Sequence, residues 1–226
     1  MKTGEWLQAL RETLYEHRNE ADAFHIRSYF RNQFGSFGLK QGARRALTKE
    51  YIKEASSFSA EEVSSLLRLL WQQDEREFQH TGMELLHRYR DKPAYNIRTE
   101  LEYVITHKSW WDTIDFIASH TAGDAFHRGW LSREDIIRWN SSGHLWLIRT
   151  SILFQLKYKA ATDWSFLQQL ILPHTGHTDF FIRKAIGWAL REYSKTKPQL
   201  VIDFVDSHEL SGLSKREALK VINKKG

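Results

Sequence analysis

The chain contains no cysteine. That excludes disulfides and thiolate nucleophiles and removes the commonest structural zinc ligands, without fixing the compartment. Only three prolines occur in 226 residues, Pro93, Pro173 and Pro198, and each falls between helical patterns. No apolar run approaches the roughly 18 residues of a membrane-spanning helix. The segment Met1–Trp6 has no apolar signal-peptide core. The expectation is a soluble, intracellular, cytoplasmic protein with no membrane association. Strand-like alternation is almost missing, and there is no Asn-Gly or Asp-Gly hairpin signal. Walker, dinucleotide and Gly-x-Ser-x-Gly motifs are absent, and a zinc-deaminase signature is impossible without cysteine.

What is present is helical. Apolar residues make up 41% of the chain, enough for a real core, and there are nine tryptophans. Ser59-Ala-Glu-Glu62, Ser132-Arg-Glu-Asp135 and Ser214-Lys-Arg-Glu217 each place a hydroxyl at a helix start and an acid three residues on. Periodicity predicts helices near 4–17, 20–33, 42–55, 60–71, 75–90, 95–106, 110–121, 132–140, 144–158, 163–172, 178–195, 198–207 and 214–224, with short connections. The fold class is all-α. An early arginine followed by apolar residues recurs at Arg76, Arg149 and Arg183; the last two are 34 residues apart and the first two 73. That is near the period of two-helix solenoid repeats. With no linker in view, the expectation is one domain over 1–226, built of HEAT-like helical pairs curved around a concave face. The net charge of +5 fits a polyanionic partner and equally a mildly basic enzyme.

The stretch Lys108-Ser-Trp-Trp-Asp-Thr-Ile-Asp115 organises the rest. Helical spacing puts Trp110, Thr113, Ile114 and Ile117 on a core face and stacks Trp111 and Asp115 on the adjacent strip. An indole beside a carboxylate on a lightly filled strip suits a site. The plainer reading packs Trp111 on a neighbouring helix and lets Asp115 cap or pair with a cation. In the 178–195 helix, Ile182, Ala185, Ile186, Ala189 and Tyr193 form a core stripe, with Phe181, Lys184, Trp188, Arg191 and Lys195 opposite. Aromatics interleaved with cations suit phosphate and base contacts; a helix sandwiched between two others, its lysines snorkelling past Trp188, is the alternative.

A glycine-containing turn after Tyr29 enters a helix whose first turns carry Lys40, Arg44 and Arg45, and helix N-termini bind phosphate. The final helix carries Lys215, Arg216, Lys220, Lys224 and Lys225, a backbone grip or simply a solvated terminus. His174-Thr-Gly-His177 has metal-like spacing, but it follows Pro173 in an apparent loop without a third ligand, so no metal is assigned. His80 and His87 read as peripheral.

Six segments together resemble a known family. They are Tyr29–Phe34 with Phe37-Gly-Leu39, Glu75–Gln79, Lys108–Asp115, Trp146–Gln155, Phe181–Tyr193 and Leu213–Ala218. They resemble the DNA alkylation repair glycosylases of the AlkD-like family, whose HEAT-like solenoid cups duplex DNA. Lys40-Gln-Gly-Ala43 departs from that family's Ser/Thr-Pro-x pattern before the Arg-Arg pair. The resemblance implies excision of cationic N3- or N7-alkylated purines (3-alkyladenine, 7-alkylguanine) from double-stranded DNA in base excision repair. It implies Asp115, Trp111 and Trp188 as catalytic residues, Arg149 and Tyr29 in the DNA cleft, and no cofactor or metal. Lys40, Arg44, Arg45, Lys108, Phe181, Lys184, Arg191 and Lys195 complete the expected DNA-binding set. A monomer is expected, cytoplasmic and nucleoid-associated when on DNA. A non-catalytic DNA-binding paralogue and a helical protein-interaction scaffold are the rivals; Asp115 beside Trp111, with Trp188 retained, favours the enzyme.

Overall fold

The computed structural model describes residues 2–91 and 96–223. Pro93, Tyr95 at the start of the predicted 95–106 helix, and the cations Lys224 and Lys225 lie outside the described residues. Among the described residues the structure is all-α, with no strand and one isolated bridge between Gly35 and Glu75. No described helix is long and apolar enough to cross a membrane. The chain divides into two compact units, Met1–Glu100 and Leu101–Gly226.

The first unit holds α1 (Lys2–Glu16), α2 (Glu20–Tyr29), α3 (Gln41–Glu54), α4 (Ala60–Gln72), α5 (Arg76–Tyr89) and the start of α6 (Ile97–Thr106). Helix α4 begins where its cap predicts. Ser59 Oγ accepts from Glu62 N at 3.1 Å, and Glu62 Oε2 accepts from Ser59 N at 2.7 Å. Such a cap is worth about 1 kcal/mol. It starts a stripe of Val63, Leu66, Leu67 and Leu70, all fully buried, and each buried leucine contributes roughly 1.5–3 kcal/mol.

Helix α2 stops four residues short of the predicted 20–33 span. Arg31 and Asn32 are left-handed, with φ of 55° and 56°, and a helix cannot continue through them. Asn32 N donates to Arg27 O at 2.8 Å, closing the end as a Schellman-type turn. Further on, Gly38 has φ +80°, and a Cβ there would lie 2.0 Å from Asn19 O. Only glycine lets this loop lie against the start of α2.

The second unit holds α7 (Trp111–Phe116), a π-helical segment Ile117–Ala122, α8 (Gly123–His127), α9 (Arg133–Asn140), α10 (Leu145–Leu153), α11 (Trp164–Ile171), α12 (Phe180–Ser194), α13 (Pro198–Ser207) and α14 (Gly212–Leu219). The helix predicted at 110–121 thus runs on to His127 through a wide turn, and that predicted at 144–158 ends at Leu153. Helix α14 starts before the predicted Ser214. Its cap is Ser211, whose Oγ accepts from Ser214 N at 3.1 Å, while Ser214 Oγ donates to Arg183 O at 2.9 Å.

The predicted α12 stripe is buried throughout, packed with Ile148, Ile152, Leu153, Leu167, Val201 and Phe204. Helix α14 approaches α12 closely because position 187 is glycine. A Cβ there would sit 2.5 Å from Glu217 Cβ and 2.9 Å from Ser214 O. The three spaced arginines take different roles. Arg76 opens α5 with its guanidinium 4.0 Å from the Phe34 ring centroid, Arg149 sits in mid-α10, and Arg183 lies in the first turn of α12.

Candidate active site

Trp110 is the extended N-cap residue of α7 and is buried, as are Thr113, Ile114 and Ile117 behind it. Fixing that face to the core turns Trp111 and Asp115, one helical turn apart, onto the neighbouring strip, where both are half-buried. The Asp115 carboxylate is gripped from α10. Arg149 Nε donates to Oδ1 at 2.8 Å and Nη2 to Oδ2 at 3.0 Å, while Nη1 donates to the Phe181 carbonyl. The Arg149 side chain is only 4% exposed against 17% for Asp115. This is the cation pairing that the plainer reading of Asp115 anticipates. It also turns Arg149 inward, so its guanidinium is a partner of Asp115 and not an exposed phosphate ligand. Burial pushes the Asp115 carboxyl above its ordinary range; the charge and hydrogen bonds of Arg149 pull the other way, and Asp112 adds to the rise.

Around this pair lies a cleft of about 320 Å³ lined by Trp111, Asp115, Arg149, Phe180, Phe181, Lys184, Trp188 and Arg191. The structure therefore brings together the catalytic set implied by the resemblance and most of the α12 stripe. Trp188 lies between the two alternatives for it, facing the cleft yet packed in part against the core. Phe181 is less outward than its spacing predicts. Its ring is 5.3 Å from that of Trp110 and 5.0 Å from that of Trp146, forming an aromatic wall. The exposed ring is Phe180, which sequence reasoning missed. It stands four residues before Lys184 and eight before Trp188, so helical spacing puts it, like Phe181, on their stripe.

The cations are less free than the sequence implies. Lys184 and Arg191 both bind Glu217 of α14, an acid whose spacing from Ser214 reads as half of a capping box. Lys195 is not in the cleft. It pairs with Glu192 at 2.6 Å and lines a separate cavity with Tyr193 and Lys159. Lys108, left-handed at φ 43°, precedes α7 outside the cleft lining.

In the first unit, Tyr29 is 65% exposed and Lys40 pairs with Asp22 at 3.0 Å. Lys40 is the N-cap residue of α3 but gives it no side-chain cap. Arg44 is turned inward, 2% exposed and forked onto Glu84 at 2.7 and 3.1 Å, with Arg45 on one of the same oxygens. Burial works to raise the Glu84 carboxyl, yet the two arginines hold it below the usual range. His174 and His177 are bound to the backbone of Asn140 and Asp179, and no group of three or more ligand-type side chains gathers among the described residues.

The profile of a family described as DNA alkylation repair enzyme matches residues 10–222. The chain is also similar to a solved structure from Enterococcus faecalis described as a "Predicted DNA alkylation repair enzyme". Identity is 26%, the match covers 92% of this chain and 97% of that one, and the TM-score is 0.83. A search of curated proteins finds no match. The family profile runs from within α1 through α14 and takes in every residue of the Trp111–Arg191 cleft, so the chain belongs to the DNA alkylation repair enzyme family.

Proposed function

We propose that the chain is a DNA N-glycosylase that releases cationic N3- or N7-alkylated purines, 3-alkyladenine and 7-alkylguanine, from duplex DNA. It opens base excision repair, acting as a monomeric, single-domain protein in the cytoplasm and on the nucleoid. The observation that carries this reading is one carboxylate, Asp115, held by Arg149 in a cleft walled by Trp111 and Trp188.

An alkylated purine cation is already a good leaving group and needs no general acid. The bond to C1′ loosens toward an oxocarbenium-like sugar. A fixed carboxylate stabilises that charge and orients the water that replaces the base. Indole faces attract cations and exclude water, which suits both sugar and lesion. Arg149 takes one lone-pair site on each carboxylate oxygen and leaves the other for substrate or water. Lys184, Arg191, Phe180 and Phe181 flank the strand, while Lys108, Lys195, Tyr29, Lys40 and Arg45 are assigned to other contacts with the DNA. Arg44 serves through Glu84.

The grip of Arg149 on both oxygens also favours a second reading, a DNA-binding member of the same fold in which Asp115 is a strut. Release of labelled base from methylated duplex DNA, resolved into 7-methylguanine and 3-methyladenine, separates the two. The glycosylase frees both or either of them; the binder retains DNA and frees neither.

A further inference from the structure

Glu217 on α14 is the acid to which two of the cleft's cations, Lys184 and Arg191, answer. Lys184 Nζ lies 2.7 Å from its Oε1, and Arg191 Nη1 donates to Oε2. The Glu217 side chain is 8% exposed, against 35% for Lys184 and 20% for Arg191, so a buried anion sits beneath two cations that reach water. Lys184 and Arg191 are two turns apart on one side of α12 with Trp188 between them, and all three line the cleft.

Glu217 has little freedom to leave. Its helix rides over Gly187, where there is no room for a Cβ, and is tied to α12 through Ser214 Oγ and Arg183 O at 2.9 Å. The hydrogen bond and charge of Lys184, with the charges of Arg191 and Lys220, hold its carboxyl below the usual range. It is therefore an anion at neutral pH.

We propose that Glu217 is a positioning residue that aims Lys184 and Arg191 at the cleft and lowers their combined charge by one, setting the grip on the DNA backbone weaker than two unopposed cations would make it. The inference rests on the glycosylase reading, since duplex DNA is the polyanion concerned. An enzyme that inspects long stretches of undamaged backbone must release them, and each cation withheld from phosphate removes about 0.9 from the slope of log affinity against log salt.

The test is binding of a fluorescent undamaged duplex over a salt series by the wild type, Glu217→Gln, Glu217→Asp and the double variant Lys184→Met/Glu217→Gln. Glu217→Gln should bind about tenfold tighter near 50 mM salt, with a slope steeper by about one. Glu217→Asp keeps the charge and should keep the wild-type slope. The double variant loses one cation and the anion, so it should return to the wild-type slope, and it decides the matter should the single Gln variant fail to fold. If Glu217→Gln binds no tighter and its slope is unchanged, or the double variant binds with a shallower slope than the wild type, Glu217 is a structural brace and the proposal falls. A wild-type protein that binds no duplex at low salt would overturn the glycosylase reading itself, and this inference with it.

Discussion

Arg149 and Asp115 meet as a two-pronged pair, Nε to Oδ1 at 2.8 Å and Nη2 to Oδ2 at 3.0 Å, between α10 and α7. Both side chains are largely shielded from water, so removing either partner strands the other. Stability and chemistry are joined at this pair, and single substitutions here must be read on both scales.

Asp115→Asn keeps the shape and removes the charge. A preorganised electrostatic contact of this kind is worth on the order of 3–4 kcal/mol, so release of 7-methylguanine in single turnover should fall about a hundred- to a thousandfold. Burial penalises the Asp115 charge more than Arg149 favours it, so removing the charge should change folding by no more than about 1 kcal/mol. Denaturant unfolding beside the kinetics resolves the two. Equal rates in both proteins mean that Asp115 is only a strut.

The pH dependence follows from burial of the same carboxyl, which lifts Asp115 above its ordinary value of 3.8. Activity that needs the carboxylate should rise with pH through that lifted value, placing the acid limb of the rate profile above the ordinary range. Stability runs the other way. A raised folded-state pKa favours the native state below the unfolded value, and the benefit is lost as pH rises through the folded one. Wild-type stability relative to Asp115→Asn should therefore grow on acidification. A shrinking difference in melting temperature would mean that the Arg149 charge outweighs burial.

Two tryptophans should separate wall from core. Trp110 is 8% exposed in the aromatic cluster with Trp146 and Phe181, and Trp110→Ala should cost about 3–5 kcal/mol. Trp188 is only partly packed on the core, so Trp188→Ala should cost about 2 kcal/mol while depressing excision severalfold at full folding. Urea melts with a single-turnover assay test both; equal stability losses would make Trp188 a core residue.

Gly187→Ala probes the approach of α14. The new methyl would meet Glu217 Cβ and Ser214 O, a clash with backbone that costs about 1–3 kcal/mol or more. The expected outcome is a lowered melting temperature. An unchanged one would show that α14 yields readily and does not fix Glu217.

Much of this was legible in the residues. Ser59 and Ser132 mark true capping boxes, and the Ile182–Tyr193 stripe is core because apolar spacing reports the buried face directly. The Trp111–Asp115 strip was visible for the same reason. Lys195 shows the limit. Periodicity gives azimuth around a helix, not distance along it, and at 1.5 Å per residue Lys195 lies roughly 10 Å past Trp188. The partners of Arg44, Arg149 and Glu217 are hidden for a different reason. Each finds its partner 26 to 40 residues away in sequence, and charge pairing over such separations leaves no local pattern. Arg31 and Asn32 end α2 through left-handed backbone, which the asparagine favours but the arginine does not announce.

The π-helical segment Ile117–Ala122 makes the length of this stretch as consequential as its composition. Its wider turn accommodates one residue more than an α-helical turn would. It sets the rotational phase between Asp115 before it and Gly123 after it, where a Cβ would fall 2.4 Å from Phe154 O. Deleting one residue here would remove that extra residue and let the segment close as ordinary α-helix with Asp115 and Gly123 near their present phase, whereas a deletion between Phe181 and Trp188 in α12 would turn one about 100° relative to the other. A chain shortened by a single codon at this place keeps both its aspartate and its aim and loses only the wide turn, a tolerance that an unbroken α-helix does not share.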